Sequence, residues 1–157
     1  MKKLRKIHWV YFSASLLGVF ALDVITKWLA FNGFMGEHQI IRGFFYMTAF
    51  QSNSGIAYGI PLPMPIQIMG SALILLLLVR FGFDFITCEG KPSILRLILL
   101  GAIAGGGLGN LMDRVSNGYV IDFIVLRPFP TFNVADVGIT VGIVLLFGTM
   151  VLSKTKN

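Results

Sequence analysis

The chain of 157 residues has one cysteine, two histidines and little charge, with Asp, Glu, Lys and Arg making up 13% of it. A lone cysteine, Cys88, excludes an intrachain disulfide and a metal site built on thiolates. His8 and His38 are far apart in the sequence, so a histidine-based metal centre has no cluster to start from, and no metal or cofactor is expected. Soluble domains carry roughly twice this charged fraction, so the shortage of charge argues against a soluble protein. Apolar residues fill the gap: 55% of the chain is hydrophobic and its mean hydropathy is +0.80. The net charge of +6 does not point to nucleic acid, because no basic patch interleaves with aromatics on a soluble element.

Four apolar runs stand out, at about 7–28, 63–86, 94–110 and 136–152. A helix needs about 20 residues to cross the hydrocarbon core, and inside a bilayer the backbone must satisfy its own hydrogen bonds. The runs therefore read as transmembrane helices of one membrane-embedded domain spanning 1–157. Nine of the thirteen basic residues fall on one side: Lys2, Lys3, Arg5, Lys6, Arg80, Lys91, Arg96, Lys154 and Lys156. Lys27, Arg42, Arg114 and Arg127 fall on the other. The positive-inside rule puts both termini in the cytoplasm and two loops, about 29–62 and 111–135, outside. The first run also resembles a signal peptide, but it is long for one and no A-x-A site follows it.

The outward loops carry strand signals. IIRGFFYMTAF is aromatic and β-branched, and QSNSGIAYGIP follows with turns expected at Asn53-Ser54-Gly55 and Gly59. A small sheet with an apolar face can lie on the bilayer surface. In the second loop, the Asn117-Gly118 turn signal precedes the strand-like YVIDFIVL, and the two prolines of Arg127-Pro-Phe-Pro-Thr stop any helix. The expected fold is an all-α integral membrane protein of four transmembrane helices with a small β-rich extracytoplasmic loop region.

The polar residues between these runs raise the functional question. Asp136 opens the fourth run, where a carboxylate suits the free N–H groups of a helix, so it reads equally as a helix cap. Asp122 sits between Ile121 and Phe123 in a run that otherwise looks buried, and a carboxylate there needs a partner or a task. A strand holding Asp122, folded back to the top of run four, would set the two carboxyls side by side, sharing a proton as an acid–base pair for water attack on a carbonyl. Sequence spacing leaves this open. Asp113 reads first as an ion pair fixing the second loop. Arg114 can donate several bonds in fixed geometry, and Asn53, Asn110 and Asn133 suit the orientation of a peptide or a carboxylate. Asp23 and Lys27 lie one turn apart on the first helix and read as an ion pair, with Lys27 and Trp28 suited to an interfacial anchor. Gly101, Gly105 and Gly109 repeat every four residues, the pattern that lets helix backbones approach closely.

DVITK (23–27), NSGIAYG (53–59), GNLMDRVSNGYVIDF (109–123) and FNVAD (132–136) together resemble the lipoprotein signal peptidases, the signal peptidase II family. The resemblance covers nearly the whole chain, with a tyrosine in NSGIAYG where phenylalanine is more usual. It implies an aspartic endopeptidase of the bacterial cytoplasmic membrane, with its active site near the outer face. Family members cut diacylglyceryl-modified prolipoproteins before the lipidated cysteine, use no metal, and are inhibited by the cyclic peptide globomycin. The matching dyad would be Asp122 and Asp136. Asp23, Lys27, Asn53, Gly55, Asn110, Arg114 and Asn133 would support the dyad or bind substrate. The implied partners are prolipoproteins and membrane lipids, and a monomer is expected. Rival classes are a proton-coupled transporter, which calls for carboxylates near mid-span, and a scaffold of glycine-packed helices, which leaves the polar groups unexplained. The G-x-G-D pattern of another intramembrane protease class fails, because Asn110 follows Gly107-Leu108-Gly109. A covalent cysteine enzyme lacks a histidine beside Cys88.

Overall fold

A computed structural model describes residues 4–34, 36, 38–56, 60–88 and 93–154. The turn expected at Gly59 and the basic residues Lys2, Lys3, Lys91 and Lys156 lie outside the described residues. In chain order the elements are α1 (Lys6–Phe31), β1 (His38–Ile41), β2 (Phe45–Asn53), β3 (Gly55–Ile56), β4 (Ile60–Pro61), α2 (Met64–Cys88), α3 (Ile94–Asn117), β5 (Val120–Leu126) and α4 (Val134–Lys154). All four helices are long and apolar enough to cross a membrane.

The helices are unequal. α3 is buried over 56% of its central stretch and the other three over 11–17%, so α3 is the hub and the others turn most of their surface to lipid. Exposed Leu17, Leu22 and Ile25 on α1, Leu73 and Leu76 on α2, and Val144 and Phe147 on α4 mark those faces. Around α3, Phe12, Ile86, Leu97, Leu100, Ile103 and Leu146 form the apolar core, in the half of the bundle where α1 and α3 begin and α2 and α4 end. The glycine repeat does the expected packing. A methyl group at Gly101 or Gly105 would collide with the carbonyl oxygen of Phe12 or Leu16 on α1, and one at Gly109 with the Asp23 carboxylate. Gly106 meets the Ala135 carbonyl of α4 in the same way. Ser15 adds a hydrogen bond from its hydroxyl to the Ile98 carbonyl, 2.8 Å long.

α3 runs further than its hydropathy indicates. It passes Asn110 and ends at Asn117, where Gly118 takes the left-handed conformation (φ 79°) and donates its N–H to the Arg114 carbonyl. The sequence loses apolar character after Asn110 because the polar side chains there point inward to partners, not because the helix stops. Asp113 and Arg114 are thus helix residues, and the segment between α3 and α4 begins at Gly118. The remaining helix ends lie within three residues of the ends of the apolar runs.

The strands form one antiparallel sheet, β1-β2-β5, and a separate β3-β4 pair. In the larger sheet Gln51 stands opposite Asp122 and Asn53 opposite Val120, with an irregularity between Met47 and Gln51. After β5 the chain turns back, and Phe132 pairs with Ile124 through two backbone bonds of 2.9 Å. This return delivers Asn133 and the start of α4 beside Asp122. Aromatic contacts seat the sheet on α1: Phe31 against Phe50 (centroids 5.0 Å apart) and Phe50 stacked on Tyr119 (6.4 Å).

Gly105→Ala is expected to lower the thermal midpoint of the protein in detergent, by overpacking worth about 1–3 kcal/mol. Gly18→Ala, with nothing within 4 Å of the added methyl, serves as the control and should not. Equal midpoints for the two would contradict the close approach of α1 and α3.

Candidate active site

The site is assembled at the first turn of α4, whose free N–H groups need acceptors. Asn133 is the N-cap: its carbonyl accepts the first helical bond from Val137, and its Oδ1 accepts the Asp136 N–H at 3.0 Å. Asp136 returns the bond, its Oδ2 accepting the Asn133 N–H at 3.3 Å, as in a capping box. The cap is therefore Asn133, and Asp136 stands three residues into the turn. The Ala135 N–H is met from α1, donating to Asp23 Oδ1 at 2.8 Å.

Asp23 is fully buried and Lys27 is 3% exposed, while neighbouring Trp28 is 58% exposed. Trp28 can reach the interface; Lys27 is not an anchor but lies between α1 and α3. Its ammonium forms ion pairs with Asp23 Oδ2 at 2.7 Å and Asp113 Oδ2 at 2.9 Å and donates a hydrogen bond to Asn110 Oδ1 at 3.0 Å. Asp113 also accepts the Ile121 N–H at 3.1 Å, which fixes β5 one residue before Asp122. The ion pair read for Asp113 thus has Lys27 as its partner.

The two remaining carboxylates face one cleft. Asp122, buried on β5, accepts from Asn53 Nδ2 at 3.0 Å and from Asn133 Nδ2 at 2.8 Å. Asp136 Oδ1 accepts from Asn110 Nδ2 at 2.8 Å. Asn133, with no exposed surface, is the link between them, touching Asp122 with its side chain and Asp136 with both backbone and side chain. Burial pushes the Asp122 carboxyl up from 3.8 to about 6, and the nearby Asp136 adds to this against the hydrogen bonds from Asn53 and Asn133. The cleft has a volume of about 520 Å³ and is lined by Asn53, Asn110, Arg114, Asp122 and Asp136 at its polar end. Val137, Thr140 and Val141 continue it down an apolar face of α4.

The other residues singled out from sequence fall around this cleft. The Gly55 N–H donates to Asn53 Oδ1 at 3.1 Å, which orients the Asn53 amide so that its nitrogen faces Asp122. Arg114 donates from Nη1 to the Asn110 carbonyl at 3.3 Å and from Nε to Gln67 Oε1 at 3.4 Å. Asp23 and Lys27 lie behind the cleft and not among its lining. Sequence reasoning missed Gln67, a buried side chain in the first turn of α2. Its signal is faint: one amide within MPIQIMG at the mouth of an apolar run.

Comparison with known proteins gives one family. The family model of Signal peptidase (SPase) II matches residues 15–152. The lipoprotein signal peptidase of Syntrophomonas wolfei is 37% identical over 149 residues, covering 93% of this chain and 96% of that protein. The lipoprotein signal peptidase of Aquifex aeolicus is 34% identical over 147 residues, covering 91% and 86%. A solved bacterial membrane enzyme structure, obtained by the in meso method at 2.3 Å resolution, superposes with a TM-score of 0.77 at 26% identity, covering 92% of this chain and 89% of that one.

Removing the cation that holds two buried carboxylates should be costly. Lys27→Met is expected to destabilise the protein by about 3–5 kcal/mol. Adding Asp113→Asn should recover part of the loss, because one uncompensated charge is removed. Denaturation midpoints of the purified variants check this; a wild-type midpoint for Lys27→Met would contradict it.

Proposed function

The chain belongs to the signal peptidase II family, and on that premise we propose that it removes the signal peptide from diacylglyceryl-modified prolipoproteins, with Asp122 and Asp136 as an aspartic dyad. The observation that carries this reading is the shared cleft, in which two carboxyls joined through Asn133 line one cavity open to an apolar face. Among the described residues, Asp23, Asp113, Asp122 and Asp136 stand against Lys27 and Arg114, so a proton held by one of the cleft carboxyls relieves the excess negative charge. Asp122, whose affinity for a proton is raised, holds it.

In the proposed reaction the Asp136 carboxylate takes a proton from water as its oxygen attacks the scissile carbonyl carbon. The Asp122 carboxyl gives its proton to the carbonyl oxygen, forming a neutral gem-diol. The C–N bond then breaks: the leaving amine takes the proton from Asp136, and a gem-diol hydroxyl returns one to Asp122. One water is consumed, the signal peptide ends in a carboxyl group, and both aspartates regain their starting state. Asn53, Asn110 and Asn133 keep the carboxyls in place, Gly55 fixes Asn53, and Arg114 holds substrate carbonyls. Asp23 and Lys27 act from behind.

The substrate's signal helix and acyl chains enter sideways from lipid along the apolar end of the cleft. Both termini lie in the cytoplasm and the site near the outer face, a topology supported by nine of thirteen basic residues on one side. The reading includes a bacterial cytoplasmic membrane location, a monomer, no metal or cofactor, and inhibition by globomycin.

The test is cleavage by the purified protein. Diacylglyceryl-modified prolipoprotein should be cut before the lipidated cysteine, as read by mass spectrometry, and cleavage at any other bond would contradict the reading. Because the reacting form has Asp122 protonated, kcat/KM should fall as pH rises through about 6, giving the alkaline limb of a bell-shaped profile. The same raised affinity stabilises the fold below the unfolded value of 3.8, and that contribution is lost as pH rises through about 6. A flat profile with chemistry rate-limiting would oppose the shared proton.

A further inference from the structure

We propose that Gln67 is a positioning residue of this peptidase: its amide locks the Asn53–Gly55 turn and the Arg114 guanidinium into one fixed relation across the cleft, so that both meet the substrate backbone together. The proposal rests on the peptidase reading above.

Gln67 is 2% exposed, and a buried amide is costly unless its groups are bonded. Its Nε2 donates to the Ser54 carbonyl at 2.8 Å and to the Leu62 carbonyl at 2.7 Å. These two residues flank the β3-β4 pair, one on each side, so the amide ties both ends of that segment to α2. Two carbonyl oxygens can be met only by an NH₂ group, which fixes the direction of the amide. Its Oε1 therefore faces Arg114, whose Nε–H donates to it at 3.4 Å. With Nη1 held by the Asn110 carbonyl at 3.3 Å, the guanidinium is gripped from behind while it lines the cleft. Among the described residues, Gln67 is the side chain of α2 that hydrogen-bonds both the first outward segment and α3.

The consequence reaches Asp122 without touching it. Ser54 follows Asn53, whose amide donates to Asp122 Oδ2 at 3.0 Å. The charged groups facing Asp122 are Asp136 from α4, Lys27 from α1 and Arg114 from α3. If Gln67 is removed, the Asn53 bond and the Arg114 charge both lose their fixed place. Each favours the ionised form of Asp122, so Asp122 should hold its proton to higher pH.

The experiment uses Gln67→Met, which keeps the volume and loses the bonds, in the full-length protein. Cleavage of diacylglyceryl-modified prolipoprotein should fall about tenfold to a hundredfold in kcat/KM, the cost of a misplaced site, with the alkaline limb moved up. Separately, the infrared band of the protonated Asp122 carboxyl, assigned by its loss in Asp122→Asn, should persist to higher pH without any substrate. Asn53→Ala should give a smaller shift in the same direction, and the double variant no more than Gln67→Met alone. Should the Met variant not fold, Gln67→Asn, one methylene short, carries the same measurements. An unmoved band and limb overturn the proposal, whether activity is kept or falls in step with the thermal midpoint. Failure of wild type to cleave would instead strike the peptidase reading, since the infrared titration needs no turnover.

Discussion

Everything at the sheet-bearing end of this bundle depends on one buried ammonium. Lys27 pairs with the Asp23 and Asp113 carboxylates and donates to Asn110, and each of these partners holds a different part of the site. Through Asp23 it fixes the first turn of α4; through Asp113 it fixes β5; through Asn110 it fixes the side chain that holds Asp136. A charge buried this deeply is tolerated because two carboxylates share it and an amide oxygen accepts from it. The small residues of α3 are what let α1 come close enough for the contact, since a side chain at Gly109 would occupy the place of Asp23.

From that constraint the chemistry follows. The same cluster that satisfies Lys27 leaves Asp122 and Asp136 on the far side of Asn110 and Asn133, bonded by amides and not by cations. Amides orient a carboxylate without holding it in the charged form as firmly as a salt bridge does. That leaves room for a proton to be held and passed on. The position of Asp136 in the first turn of α4 and of Asp122 on β5 also matters. A transporter would need carboxylates along a mid-span path, whereas here they line one cleft beside apolar residues of α4.

Parts of this arrangement were legible in the sequence, for physical reasons. Twenty-residue apolar runs have only one stable form in lipid, so all four helices could be read. The end of α3 could not, because Asp113 and Arg114 look like loop residues until their partners are known. Aromatic and β-branched runs marked the strands, but pairing β2 with β5 joins segments some 70 residues apart, which no local pattern encodes. The proximity of Asp122 and Asp136 was open on spacing alone and depends on the backbone pairing of Phe132 with Ile124. Gln67 was invisible because one amide in an apolar stretch acquires meaning only from the carbonyls it meets.

The most direct test is the single-turnover cleavage rate of Asp122→Asn and Asp136→Asn beside wild type, each variant having a wild-type thermal midpoint. Both substitutions keep size and shape and remove only the proton chemistry. If the dyad performs the hydrolysis, each variant loses at least about a hundredfold in rate. A folded variant that cleaves within a few-fold of wild type would contradict it.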